Sequence, residues 1–338
     1  MKNRLSIILL SLTLLLLAAA NVLWASLDIP LGDVLQILYG NEVEGHHAWS
    51  IIIWQGRVPQ MLTALLTGAA LGTCGLLLQT AFRNPLAGPS ILGIDSGANL
   101  GVAIVLLLLG GTVSIGNLTL GGQMLVIVAA MAGALGIMAL LMILGKMLRS
   151  QVMLLITGVV ISYVTGSIIQ LLNYSATEQG VFKFIIWGMG DFSSVGIEKL
   201  PYFFVLSCAG LLLASLLIKP LDALLLGDRY AENLGIKINS VRQMLLLVTG
   251  LLTATTTAFC GPISFIGLAV PHLARLMLGT ARHSILMPAT MLIGANLTLA
   301  CNLLSTIPRD GSVIPISVIT PLIGAPVVLH VILKQRHD

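Results

Sequence analysis

Charge is scarce in this sequence. Asp, Glu, Lys and Arg make up 9% of its 338 residues, whereas 57% are hydrophobic; a soluble domain carries roughly 25% charged residues. So few charges could not cover the surface of a water-soluble fold, which excludes a globular soluble enzyme and implies a polytopic membrane protein. Cysteine is equally scarce. Cys74, Cys208, Cys260 and Cys301 fall in apolar stretches without the paired spacing of a zinc or redox motif, and read as small buried apolar residues. The net charge of +4 is scattered over short loops, with no dense basic patch, which argues against nucleic acid as a partner. Paired carboxylates, a nucleotide-binding loop and a Ser-His-Asp arrangement are all missing. So are low-complexity tracts, tandem repeats and any soluble domain, and residues 1–338 read as one transmembrane domain.

What is present is a series of long apolar runs. A span needs about 20 apolar residues, and the runs place spans at 4–25, 60–80, 91–110, 122–145, 152–173, 200–218, 243–260, 265–280, 284–304 and 316–333. Lys2 and Arg4 precede a first run that reaches Trp24, too long for the 7–15-residue apolar region of a signal peptide, so it reads as a retained span. With the N-terminus inside, thirteen of the 17 basic residues lie on the cytoplasmic side; only Arg57, Lys183, Lys199 and Arg309 lie outside. That asymmetry fits an even number of spans with both termini in the cytoplasm. External segments are expected at 26–57, amphipathic around Val34–Leu38, and at 174–199, where Trp187 to Gly190 are too apolar for a free loop.

Breaks in apolar runs point at working parts, because irregular backbone at membrane depth must be buried in protein or line a cavity. Gly68, Gly72 and Gly75 recur near helical spacing in the second span, as small residues do where helices approach closely. Gln79 near that span's end reads as an interhelical hydrogen bond. Arg83-Asn84-Pro85-Leu86 follows at the exit; Pro85 forbids a regular helix, and Arg83 reads as a snorkelling anchor. Asn84 and Leu86 either constrict a pore or shape a turn, and spacing does not choose. His272 follows Pro271 with no second His or carboxylate at i±3 or i±4, and reads as a structural hydrogen bond.

Residues 219–242 form the only sizeable cytoplasmic loop. Pro220 can open a short helix that Gly227 ends; Asp228 can cap a second, running to about Leu234, with Gly235 as its stop. Leu224, Leu225, Leu226 and Leu234 are too apolar for free solvent, and an apolar patch rimmed with charge reads as a docking knob, the alternative being a loop folded onto its own spans.

Several blocks, in order, carry a family likeness: Arg57-Val58-Pro59, the Gly-rich second span ending in Gln79, Asn84-Pro85-Leu86-Ala87, Leu92-Gly93-Ile94, and Trp187-Gly188-Met189-Gly190. Leu226-Gly227, Ala231 through Gly235, Gly261 through His272 with Arg275, and Pro315 with Gly324-Ala325-Pro326 complete the set. Over nearly its whole length the chain resembles FecCD-type permeases of ABC importers for iron–siderophore, haem and vitamin B12. The resemblance implies an all-α type II importer permease with about ten spans, multi-pass in the bacterial inner membrane and working as a homodimer. It implies two separate ATPase subunits on the cytoplasmic face, a substrate-binding protein outside, and no cofactor of its own, ATP being used by the partner. It places ATPase coupling at Asp222, Leu225, Leu226, Gly227, Ala231, Glu232, Leu234 and Gly235, and the cytoplasmic gate at Asn84, Leu86, Gln151 and Val152. Docking of the binding protein falls to Arg57, to Gln60 where the family has a second arginine, and to Arg309, three residues after the Thr306 that aligns with a third.

The expected cargo is an iron chelate, a ferric siderophore or haem, with cobalamin as the alternative. An ion-coupled secondary transporter would need an intramembrane ionisable group, for which Asp95, near a span end, is the only carboxylate available. A membrane-embedded enzyme would need clustered ligands or a nucleophile–base pair, which the sequence does not show.

Overall fold

The computed structural model describes residues 2–25, 27–41, 43, 45–115, 118–148, 150–308 and 312–334. Helix α1 (Lys2–Leu23) is followed by α2 (Leu31–Leu38) and by α3 (His47–Ile51), which continues through a π-helical turn at Ile52–Arg57 into α4 (Val58–Ala81). A 3-10 turn at Pro89–Leu92 leads into α5 (Ile94–Ala103), extended by a π-helical turn to Leu108. Beyond an antiparallel hairpin of β1 (Thr112–Ile115) and β2 (Leu118–Gly121) come α6 (Gly122–Met147), α7 (Gln151–Ser175), α8 (Glu178–Gly188) and α9 (Leu200–Leu216). The chain closes with α10 (Ile218–Leu225), α11 (Asp228–Asn233), α12 (Ile238–Cys260), α13 (Ile266–Leu278), α14 (His283–Ser305) and α15 (Ile316–Lys334). Every expected span carries a helix. Among the described residues 6 helices are long and apolar enough to cross a membrane, and α9 joins them when taken with α10, to which it is bent by 45°. Three shorter apolar helices, at Ile94–Leu108, Ile266–Leu278 and Ile316–Leu329, complete the set. The hairpin between α5 and α6, and helices α3 and α8 within the external segments, were not expected from the sequence.

The end of the bundle that carries α10 and α11 is its lower end; α2 and α8 lie at the upper end. Burial divides the helices sharply. The most apolar window of the helix through α4 is 83% buried and that of α12 is 78%, against 17% for α1 and α7 and 28% for α6. The central helices win their places through small residues. At Gly68 a Cβ would collide with the backbone carbonyl of Gly294 on α14, and at Gly75 with that of Gly267 on α13. In lipid there is no hydrophobic force between helices, so such close approach supplies the packing energy. Buried threonines keep polar groups satisfied: Thr249 and Thr256 of α12 donate back to Leu245 O at 2.8 Å and Leu252 O at 3.0 Å.

The two external segments are ordered by the same logic. In α2, Val34 and Ile37 are buried, the face the amphipathic pattern anticipated. Thr177 caps α8, its hydroxyl accepting from Gly180 N–H at 3.2 Å. The following turn docks on the bundle through Asp191 N–H to Cys260 O at 2.8 Å and Ser317 N–H to Met189 O at 3.1 Å; Trp187 packs against the core while Met189 stays exposed.

Candidate coupling and gating site

The lower end brings most of the expected coupling and gating residues together. Helix α10 buries Leu221 and Leu224 against the bundle and leaves Leu225 47% and Leu226 64% exposed. Pro220 lies in its first turn, where its missing N–H costs nothing. Gly227 then adopts φ 109°, open to glycine and little else, and turns the chain into α11. There Ala231 is fully buried while Leu234 is 57% exposed. The helix stops as the sequence suggests: Gly235 takes φ 80°, and Ile236 N–H returns to Ala231 O at 3.1 Å. The exposed leucines with Glu232 form one outward apolar face rimmed by charge.

Four expectations at this loop are corrected. Gly227, not Asp228, occupies the position before α11, without a side-chain cap. Asp228 instead bridges two arginines, accepting from Arg83 Nη2 at 2.7 Å and Arg242 Nη2 at 2.8 Å. Leu224, expected in the docking patch, is buried, and Asp222 and Ala231, which the resemblance assigned to ATPase coupling, point inward. Asp222 Oδ1 accepts from the His283 backbone N–H at 2.7 Å and lies 2.9 Å from its Nδ1, and Ala231 packs beneath α11 because its small side chain lets that short helix sit close.

The turn after α4 is pinned from several directions. Asn84 Oδ1 accepts from Leu86 N–H at 2.9 Å, an Asx turn that holds Leu86 41% exposed. His272 Nε2 lies 2.8 Å from Pro85 O, the structural role expected of a lone histidine. Gln79 Oε1 accepts from Arg275 Nη1 at 2.6 Å and its Nε2 donates to Leu268 O at 3.2 Å, so Gln79 is an interhelical tie. Arg83 is more than a topology anchor: its guanidinium reaches the coupling loop and its backbone takes φ 47°. Val152, in the first turn of α7, is 63% exposed; Gln151 opens that helix, and its side chain lies outside the described residues. A cavity of about 360 Å³ opens between α4, α6 and α12, lined by Ala81, Phe82, Lys146, Ser150, Asn239 and Arg242.

At the upper end the expected docking residues do something else. Arg57 is only 4% exposed. Its Nη1 donates to Val22 O at 3.0 Å and its Nη2 to Leu27 O at 2.6 Å, so it closes the carbonyl end of α1 instead of facing outward. Gln60 Nε2 donates to Asn302 Oδ1 at 3.0 Å, and Asn302 Nδ2 to Asn21 Oδ1 at 2.8 Å, a side-chain chain joining α4, α14 and α1. Thr306 is 8% exposed and bonds Leu303 O at 2.8 Å. Arg309 lies outside the described residues. A buried guanidinium needs acceptors, and the free carbonyls at a helix end are the nearest supply. Asp95 opens α5 with both carboxylate oxygens accepting, from Ser90 Oγ at 2.9 Å and Thr257 Oγ1 at 2.8 Å.

Known proteins are similar to this chain over most of its length. The profile of the FecCD transport family matches residues 12–334. The chain belongs to the FecCD transport family. This FecCD permease is 36% identical to the molybdate import system permease protein MolB of Haemophilus influenzae, over 94% of its own length and 93% of that protein. It is 33% identical to the vitamin B12 import system permease protein BtuC of Klebsiella pneumoniae, over 85% and 83%. Among solved structures it is similar to a metal-chelate type ABC transporter in an inward-facing conformation, with TM-score 0.80, 29% identity, and 98% and 99% coverage of the two chains. The FecCD permease is therefore a multi-pass membrane subunit of an ABC importer, whose ATPase and substrate-binding protein are separate chains. The relatives' names span molybdate and vitamin B12, so an iron chelate is not singled out.

Sequence reasoning missed the inward bonds of Asp222, Asp228 and His283. Their signal was present but weak: polar residues at the mouths of apolar helices, with no spacing that pairs them.

Proposed function

We propose that two copies of this chain form the membrane conduit of an importer for a metal-centred solute, driven by ATPase subunits that bind the α10–α11 face. The single observation that carries the reading is the lower-end knob: Leu225, Leu226 and Leu234 stand exposed on a helix pair whose inner side is bonded to the turn bearing Asn84 and Leu86. A partner that seats on those leucines acts directly on the gate. The lower end faces the cytoplasm in this reading, supported by the cationic residues gathered there and the acidic ones at the upper end. Both termini are then cytoplasmic. The second copy is supported by α7, which leaves Val152, Ile156, Tyr163 and Leu171 exposed along its length.

The binding protein delivers cargo at the upper face, where it meets a surface other than Arg57 and Gln60, whose side chains are engaged within the bundle. Molybdate, cobalamin and metal chelates share a metal centre, and that class is the proposed cargo; an iron chelate is its first candidate. The test is uptake by vesicles holding the permease, its ATPase and its binding protein, offered ferric siderophore, haem, cobalamin and molybdate separately. ATP-dependent accumulation of one of the four supports the class. Accumulation of none, with a metal-free solute taken up instead, contradicts it.

A further inference from the structure

Two carboxylates of the coupling loop face away from its exposed leucines, and both lead to the lower end of α4, one to Thr80 in its last turn and the other to Arg83 just past its cap. The first path is buried at His283 and Thr80 and 32% exposed at Asp222. His283, fully buried at the start of α14, holds Asp222 Oδ1 on its backbone N–H and, at 2.9 Å, beside its Nδ1, while its Nε2 lies 2.9 Å from Thr80 Oγ1. The carboxylate makes Nδ1 the protonated nitrogen of the neutral ring, so Nε2 accepts from the Thr80 hydroxyl. The second path is half exposed. Asp228 holds Arg83 at 2.7 Å, and Arg83 Nη2 also reaches Leu224 O at 3.4 Å. Arg83 sits at φ 47°, a left-handed conformation that a non-glycine residue keeps only where its surroundings impose it.

We propose that Asp222–His283–Thr80 and Asp228–Arg83 are two struts through which the coupling helices position the lower end of α4, and so set the gate turn at Asn84–Leu86. The proposal rests on the ATPase-driven reading above and adds the residues that transmit the stroke. Thr80 and Arg83 bracket Phe82, the residue that ends α4. One attachment would let the helix end pivot; two fix its direction. This strut moves as a unit, since parting from either neighbour would leave a nitrogen of the buried His283 without a partner. The exposed strut, with side chains 52% and 40% exposed, adds little to stability, as solvent-exposed ion pairs do, so its value is positional. On the far side of the turn, the His272–Pro85 contact ties the same segment to α13, which gives the struts something to pull against.

The experiment uses the whole complex in proteoliposomes and reads cargo imported per ATP hydrolysed, alongside ATPase copurification. A purely structural residue changes the amount of complex and leaves that ratio alone. Thr80→Val, which keeps the shape and removes the hydroxyl, is expected to lower the ratio about fivefold with the ATPase still bound, and Thr80→Ser to restore it. Arg83→Gln, on the exposed pair, is expected to lower it in the same direction and decides the matter if Thr80→Val does not fold. Wild-type ratios in Arg83→Gln and in any folded Thr80→Val overturn the struts. A wild-type permease that neither retains the ATPase nor shows ATP-driven uptake overturns the reading beneath them, and the struts with it.

Discussion

The two ends of α4 are built from similar residues and do opposite things. At the upper end an arginine and an amide, Arg57 and Gln60, turn inward and bond to α1 and α14. At the lower end an arginine and a hydroxyl, Arg83 and Thr80, connect to the loop that carries the exposed leucines. The upper end is therefore bonded within the bundle, and the lower end to the loop that the proposed function makes the driven part. A polar residue near a helix end can serve either purpose, and its partner decides which.

Changes at the upper end test the bonds within the bundle. Arg57→Ala removes a buried cation and leaves the Val22 and Leu27 carbonyls without its donors; hydrogen bonds to charged groups contribute about 1.5–3 kcal/mol each, so the largest effect expected is a steep loss of thermal stability and yield of the permease. Unchanged stability with loss of binding-protein capture would return Arg57 to a docking role. At the lower end, Leu225→Asp or Leu234→Asp is expected to weaken ATPase copurification at least about tenfold, as loss of about 1.4 kcal/mol at an interface does, with the permease still folded because both residues are exposed. Undiminished copurification would break the comparison at its driven end. Gln60→Ala should lower stability by about 1 kcal/mol, read as a small shift in melting temperature with normal cargo per ATP. The smallest stability effect, within about 0.5 kcal/mol, is expected for Arg83→Gln. A large shift there would show that the exposed pair serves the fold.

The helices were legible in the sequence because a bilayer demands apolar runs of fixed length, and each run had one helix to become. The Gly68–Gly72–Gly75 spacing was legible for a similar reason, since close approach admits few side chains. The knob was legible from leucines that had no span to join and from Gly227 and Gly235, whose positive φ values other residues tolerate poorly. Side-chain direction was not legible. Ala231 and Leu234 sit in one short segment, yet one is buried and the other exposed, and only the packing of α11 settles which. Arg57 misled for the same reason: its place beside Pro59 fits the family's docking pattern, but the open carbonyls at the end of α1, 30 or more residues away, capture its guanidinium. The hairpin between α5 and α6 was legible but overlooked: Thr112–Ile115 and Leu118–Gly121 alternate polar and apolar on either side of a two-residue link, a hairpin pattern masked by the long apolar runs around it.

The claim beneath all of this is that the chain is a conduit worked from its lower end by an ATP-hydrolysing partner. Vesicles containing the permease and binding-protein-loaded cargo, with the ATPase either present or omitted, test it most directly. Accumulation against a gradient is expected only with the ATPase and ATP together; accumulation that persists after the ATPase is left out would contradict the account.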